Sequence, residues 1–489
     1  MAARHLLFIF TDEQRADTLG AYGNRRIQTP HLDRLATESV VFEKCYVSQP
    51  VCTPSRSTIL TGLYPHTTGC ISNNIPLPDV IRCLPEMVSG YRTAYFGKWH
   101  LGDEVFAQHG LQDWFSIEDA YIKYYSPGRD RNTRSTYHHW LVEKGYTPDR
   151  PMPDGPGIFS RGMAARLPEE HCKPAYLAFE FSRWLAQRPR DERFIAYINF
   201  LEPHMPFFGP RNDQYDPDKV DLPPNFNNPP GEQTHLKARV LYEHYRQGFE
   251  GHNLDSEAGW RRLIANYWGL VSQVDAAVGA ILTALEAAGL AEDTIVVYTS
   301  DHGDMMGSHR LLAKGVMYEE AVSVPLLIRV PGVPPGVVSH SVSQVDLVPT
   351  LFDFLGGPRT FYVEGQSLRP LMEREESPTR RDVFIEWNEL ESSLENFTRD
   401  VPEEIARLGS PQRLRAAFQD PIRTVVTAEG WKLNYSPILH QHELYNLRDD
   451  PYEKQNLYGQ AGTQDLVQDL ETRLRTWASR TYDRIALGV

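Results

Sequence analysis

The chain has 489 residues, a formal net charge of −14, 41% hydrophobic residues and 23% charged residues. That length exceeds one ordinary core, so one large domain plus a smaller one is expected, and the composition is that of a globular chain. The negative charge argues against nucleic acid or an anionic membrane as partner, so an anionic substrate has to be drawn in by local cations or a metal.

In chain order, the first apolar run is "HLLFIF", His5–Phe10. It is too short for the hydrophobic region of a secretory leader and reads as a strand buried on both faces. No stretch looks like the ~20 consecutive apolar residues of a membrane span, so a cytoplasmic protein is expected. The five cysteines, Cys45, Cys52, Cys70, Cys83 and Cys172, form no CxxC pair, which argues against a disulfide framework or a zinc site. Cys52 opens "CTPSRSTILTG", a turn that becomes a helix start closed by Gly62. A group at such an N-terminus faces unpaired N–H donors and the positive end of the helix dipole. A thiol there is acidified, and Arg56, one turn on, can offer a forked donor to an oxyanion.

"RTAYFGK", "RFIAYINF", "TIVVYTSD" and "VPLLIRV" read as further buried strands. Between them, the spans from about Ser116 to Arg190 and from Gly209 to Trp260 read as long loops that wall a substrate pocket. "RRLIANYWGLVSQVDAAVGAILTALEAAGL" carries Leu263, Ile264, Tyr267, Val271, Val274, Val278, Ile281 and Leu285 at helical spacing, with Gly289 at the C-cap. The alternation predicts an α/β domain with a mixed, mostly parallel sheet flanked by helices, over residues 1–374. "REESPTRRD" reads as a linker. "VFIEW", "IRTVVTAEGWKLNY", "HELYNL" and the amphipathic "DLVQDLETRLRTWASR" then predict an α+β subdomain with a short antiparallel sheet, over residues 375–489.

Sites in such sheets lie beyond the carboxyl ends of the strands. Four strand ends carry chemistry: Asp12 and Glu13; Lys98 and His100; Glu202 and His204; Asp301, His302 and Asp304. Asp12 and Asp301 suit a hard divalent cation, to which His302 can add a nitrogen.

C-T-P-S-R followed by L-T-G resembles the signature of the type I sulfatases of the alkaline phosphatase superfamily. "FIFTDEQRADTLGAYGN", "GYRTAYFGKWHLG", "EPHMPF", "YTSDHGDMMGSHRLLAKGVMYEEAVSVPLL" and "HELYNLRDDPYEKQNL" are similar to further motifs of that family across nearly the whole chain. The resemblance implies that Cys52 is oxidised to Cα-formylglycine by a formylglycine-generating enzyme. It implies a divalent metal held by Asp12, Asp301, His302 and modified Cys52, calcium by family habit and magnesium or manganese in some relatives. Glu13 stands where members often carry a second Asp, and is a candidate ligand through a longer side chain. The implied chemistry is attack of a formylglycine hydrate on sulfur, with Arg56 and the metal easing ionisation. Lys98 and Lys314 neutralise sulfate oxygens, His204, with Lys314 as a possible helper, protonates the leaving alcohol, and His100 takes the proton whose loss expels sulfate. His309 is a candidate substrate contact, and Asp304 a candidate orienting acceptor.

The expected function is therefore hydrolysis of a small-molecule sulfate monoester of an aryl, alkyl or sugar alcohol. Phosphonate monoester and phosphodiester hydrolases share the fold, the formylglycine and the metal site; Ser55, which their pentads often lack, tilts the reading toward sulfate. A non-catalytic metal- and anion-binding protein with an unmodified Cys52 is the remaining alternative, and homo-oligomerisation stays open.

Overall fold

In the computed structural model, which describes residues 4–153, 155–357, 361–374, 381–388 and 401–485, the apolar runs become strands of one eight-stranded sheet. Its strands are β1 His5–Asp12, β2 Val40–Tyr46, β3 Arg92–Gly97, β4 Asp113–Ser116, β5 Phe194–Pro203, β6 Thr294–Ser300, β7 Ser323–Arg329 and β8 Gly336–Ser343. They lie in the order β4-β3-β5-β1-β6-β7-β2-β8. The strands β4, β3, β5, β1 and β6 run parallel, and β7 is antiparallel to both β6 and β2. β2, β4 and β8 are absent from the sequence reading, because their apolar patterns are short and interrupted or flanked by polar residues.

β1 shows why the sheet is covered on both sides. All of its residues are buried, and successive side chains of a strand point to opposite faces. Leu6, Phe8 and Phe10 pack with Ile59 and Leu60 of the helix Cys52–Thr61 on one face. Leu7 and Ile9 pack on the other with Val274, Val278, Ile281 and Leu285 of the helix Glu257–Ala287. Truncating Phe8 to Ala would cost about 3–5 kcal/mol through the cavity left behind.

The helix Glu257–Ala287 follows the predicted spacing, and Gly289, at φ +70°, turns the chain away just beyond it. It corrects the expectation that no segment has membrane-spanning length and composition. This helix has both, but 78% of its most apolar window is buried against the rest of the protein, as a core helix requires. The span from Ser116 to Arg190 is also more ordered than a long loop. It contains the helices Thr136–Glu143 and Lys173–Gln187, the latter with Leu177, Phe181 and Leu185 on the same core face.

The strands β9 Val383–Glu386, β10 Arg423–Val426, β11 Trp431–Tyr435 and β12 Glu443–Asn446 form a second, antiparallel sheet ordered β12-β11-β10-β9. The helix Gln464–Thr481 covers it, with Trp477 stacked on Phe384 at 5.1 Å. Most of the sequence-predicted linker, residues 375–380, lies outside the described residues. The small sheet is fastened to the large one by the Glu386 N–H, which donates to Ser48 O at 2.7 Å, and by His66 Nδ1 against Glu386 Oε1 at 2.6 Å.

Candidate active site

The ends of β3, β5, β1 and β6 are neighbours, so the order of the sheet alone converges residues from about positions 12, 98, 204 and 301. Gly97 makes the approach possible. It sits at φ +117°, and a Cβ there would lie 1.8 Å from Asn199 O, so only glycine lets the end of β3 lie against β5. Around it Glu13, His100 and Ala313 adopt left-handed φ values of 71°, 60° and 62°, the backbone strain that surrounding packing sustains at functional sites.

Cys52 is the first residue of its helix, with Val51 as an extended N-cap. Its Sγ lies 3.3 Å from His302 Nε2 and 3.7 Å from Asp12 Oδ1. Ligand atoms of Asp12, Cys52, Asp301 and His302 all fall within 4.8 Å of one another, and all four residues are buried. His302 Nδ1 faces Gly303 O at 2.9 Å, so the proton belongs there and the Nε2 lone pair points into the cluster. Asp12, Glu13 and His204 form an overlapping group, and Glu13 Oε1 is buried without a hydrogen-bond partner. Carboxylate oxygens, one imidazole nitrogen and an unpaired carboxylate oxygen suit a hard divalent ion, so the residues fit the metal that the sequence implies. Cys52 Sγ stands where an oxygen of formylglycine would sit.

Arg56 is fully buried, and four of its five N–H donors are spent on protein. Nε reaches Asp301 Oδ2 at 2.9 Å and Nη2 reaches Asp12 Oδ2 at 2.9 Å. Nη1 reaches Lys98 O at 2.6 Å and Asn199 Oδ1 at 2.7 Å. The expected fork toward an oxyanion is thus directed instead at the two carboxylates, which it locks in place. Lys98 Nζ lies 2.5 Å from the same Asp12 oxygen, and Lys314 Nζ lies 2.9 Å from Glu13 Oε2. His204 Nε2 is 3.4 Å from that Glu13 oxygen, while its Nδ1 faces Met205 O at 2.9 Å.

Electrostatics follow from this packing. Burial opposes ionisation of Asp12, but Lys98, His204, Arg56 and Lys314 outweigh it and hold the carboxyl well below its usual range. Burial, and Asp12 beside it, work against the Cys52 thiolate, yet Lys314, Lys98 and His302 bring the thiol below its ordinary value. Burial pushes Glu13 up to about 8 against the pull of Lys314. Burial, then Lys98 and Arg56, hold His100 well below the ordinary imidazole value; burial and Lys314 do the same to His204.

Asp304 Oδ1 accepts from the N–H groups of Met306 at 2.6 Å and Ala313 at 3.1 Å, so it folds the loop that delivers Lys314. His309 departs from its expected place against substrate. It is buried, and its nitrogens lie 2.7 Å from Asn228 O and 3.1 Å from Tyr452 O, which makes it a clamp between the loop and the smaller subdomain.

Several supporting residues escape sequence reasoning. Glu104 accepts from the N–H groups of Trp99 and His100 at 2.8 and 2.7 Å. Gln344 Nε2 donates to Ser300 O at 2.8 Å and Asp301 O at 3.1 Å, and Ser55 Oγ reaches Gln344 Oε1 at 2.7 Å. Asn199 Nδ2 donates to Phe10 O at 3.0 Å. Only Asn199 leaves a trace in the sequence, as the one amide inside an apolar strand.

A mixed sheet whose parallel strand ends gather two locked aspartates, a helix-N-terminal cysteine and buried lysines defines a protein of the alkaline phosphatase superfamily. Comparison with known proteins agrees. The chain belongs to the sulfatase family, whose model matches residues 4–357. It is similar to an ulvan-active sulfatase of Formosa agariphila, 27% identical over 485 residues, covering 96% of this chain and 80% of the relative. Among solved structures it is similar to the phosphonate monoester hydrolase of Agrobacterium radiobacter, with a TM-score of 0.73 and 25% identity over 98% of this chain and 96% of that one. It also shares the fold of BT4656, solved with its substrate D-glucosamine-2-N,6-O-disulfate, with a TM-score of 0.75 and 22% identity over 99% of each chain.

Proposed function

We propose that this sulfatase-family protein hydrolyses sulfate monoesters of small aryl, alkyl or sugar alcohols, using formylglycine made from Cys52 and one divalent cation, calcium by preference. The observation that carries the reading is the buried cluster of Cys52, Asp12, Asp301 and His302, with ligand atoms within 4.8 Å of one another, beside Lys98, Lys314 and His204. Asp12, Asp301, His302 and Glu13 would hold the cation, which supplies Lewis-acid help in ionising an oxygen nucleophile at position 52. Hydrated formylglycine supplies two geminal hydroxyls, one to attack sulfur and one whose deprotonation expels sulfate.

The rest falls to the chain itself. Lys98, held on Asp12, and Lys314, held on Glu13, bind the sulfate oxygens, where fixed positive charge in a dry site counts most as charge shifts toward the leaving group. His204 keeps its Nδ1 proton on Met205 O, so Nε2 is the ring atom turned toward the departing alcohol, and because the buried imidazole is neutral the proton it relays there comes from Lys314, whose ammonium shares Glu13 Oε2 with it. His100 is held by Asn74 Oδ1 at 3.1 Å from Nε2, and its buried Nδ1 has no partner. An unpartnered nitrogen of this kind supports the reading of His100 as the group that accepts the proton. Glu104 and Asp304 fix the backbone beneath His100 and Lys314.

The test is mass analysis of the peptide containing Cys52, joined to turnover of 4-nitrophenyl sulfate. Conversion of the thiol that tracks activity supports the proposal; fully active protein with an intact thiol overturns it. The likeness to a phosphonate monoester hydrolase favours a second reading with the same site. Faster turnover of an aryl phosphonate monoester than of the aryl sulfate would make that the main activity.

A further inference from the structure

A narrow recess of about 10 Å³, room for a single water, opens beside His204 and is lined by Arg161, Lys173, Glu202, Phe208 and Pro210 among others. On the proposed reaction, the leaving alcohol departs toward His204, so the leaving group rests over the mouth of this recess, within reach of the side chains that line it. Its charge is unbalanced. Glu118 is buried between Arg161, 2.8 Å from Oε2, and Lys173 on Oε1. Against burial, those two cations hold its carboxyl at about 2. One carboxylate therefore faces two cations. Glu202, pushed up to about 7 by burial against the pull of Lys173, offsets the surplus only in part.

Arg161 is built to present its free end. Nε is fixed on Glu118, and Nη2 donates to the Tyr121 hydroxyl at 2.9 Å. Nη1 has no hydrogen-bond partner among the described residues, and the side chain is 25% exposed. Tyr121 links this guanidinium to the reacting end. Its ring centroid lies 5.8 Å from Arg161 Cζ, 5.9 Å from Lys98 Nζ and 4.3 Å from the His100 ring. Both cations therefore border the same Tyr121 ring, Lys98 at the sulfate end and Arg161 beside the recess that His204 lines, which suits a leaving group carrying a second anionic substituent.

We propose that Arg161 is a specificity residue that binds a second anionic substituent, a carboxylate or a further sulfate, on the leaving group of the sulfate ester. Arg161 Nη1 supplies the charge-assisted hydrogen bond, and Glu118 with Tyr121 pre-orders the guanidinium so that little rotamer freedom is lost on binding. The inference rests on the sulfatase reading for the placement of the leaving group.

The experiment compares 4-nitrophenyl sulfate with analogues bearing a ring carboxylate, a second ring sulfate or an uncharged ring carboxamide. The expected result is kcat/KM about tenfold higher for a dianionic analogue than for the carboxamide, the advantage lying mainly in KM. Which anion gains more tells carboxylate from sulfate recognition. Arg161→Met should erase the advantage. Arg161→Lys, which keeps the charge beside Glu118 and guards against misfolding, should erase most of it because the fork is lost. Equal turnover of charged and uncharged analogues, or equal losses on all of them in both variants, overturns the proposal. Calorimetric binding of the desulfated phenols to wild-type and Arg161→Lys protein reads the same preference without turnover. An enzyme that hydrolyses no ester therefore counts against the proposed reaction, while the binding comparison still decides for or against Arg161.

Discussion

Cys52 and His302 stand 250 positions apart, yet Cys52 Sγ and His302 Nε2 lie 3.3 Å from one another. The helix that begins at Cys52 and the loop that follows β6 are thus registered to a fraction of a side chain. With His302 Nδ1 engaged by Gly303 O, the imidazole has one orientation, and position 52 has one neighbour set. On the proposed function, replacing Cys52 should remove the nucleophile without disturbing that frame.

Cys52→Ala is expected to lower kcat for an aryl sulfate by at least about 10³-fold with an unchanged circular dichroism spectrum. Cys52→Ser should give at most one turnover, since its sulfate ester has no second hydroxyl to release the product. Sustained turnover by either variant would contradict the assignment.

The two lysines should separate under mutation. Lys98 is wholly buried, whereas the Lys314 side chain is 15% exposed. Lys98→Met leaves the buried Asp12 charge with less compensation, so it should cost about 3 kcal/mol in stability as well as about 10²-fold in kcat. Lys314→Met should show a comparable loss in kcat with a smaller fall in Tm. Thermal melts alongside kinetics distinguish the two.

Removing divalent ions with a chelator should abolish activity while leaving secondary structure intact, because Arg56 holds Asp12 and Asp301 in place with its own hydrogen bonds. Readdition of calcium, magnesium and manganese separately, with bound metal quantified, identifies the working ion. Loss of the folded state on chelation would show that Arg56 does not suffice.

His66 should make stability pH-dependent. Burial works against its protonation, but Glu386, backed by Thr481 O, pushes its pKa up to about 9. A folded-state pKa raised above the unfolded value of 6.5 gives stability that is complete below about pH 6.5 and lost as pH rises through about 9. Tm should therefore fall over that interval, by an amount worth about 3 kcal/mol. His66→Gln should flatten the profile there. A wild-type Tm constant from pH 6.5 to 9.5 would contradict the linkage.

Much of this centre was legible beforehand because strand-end residues announce themselves twice, by chemical type and by following an apolar run. Asp12, Lys98, His204 and Asp301 each do so. What stayed hidden works through main-chain atoms or distant charges. Glu104 is an ordinary-looking glutamate until its carboxylate is seen under two backbone amides. Arg161 lies in a stretch with no periodicity, and its partner Glu118 is 43 positions away. Arg56 was conspicuous, but the direction of its fork depends on side chains from β1, β5 and the end of β6, which spacing along the chain does not encode. The helix Lys173–Gln187 was lost among the Pro, Tyr and Arg residues around it.

Every residue of the helix Cys52–Thr61 is buried, Pro54 and Arg56 included. If Cys52 matures as proposed, a modifying enzyme that reads cysteine, proline and arginine together could not dock on them once the large sheet has closed around that helix. Oxidation of the thiol would then belong to the period of synthesis, before the chain collapses. Molecules that missed this window would remain folded, inert and beyond later repair, and the yield of working protein would be fixed at birth by the host's supply of the maturation enzyme.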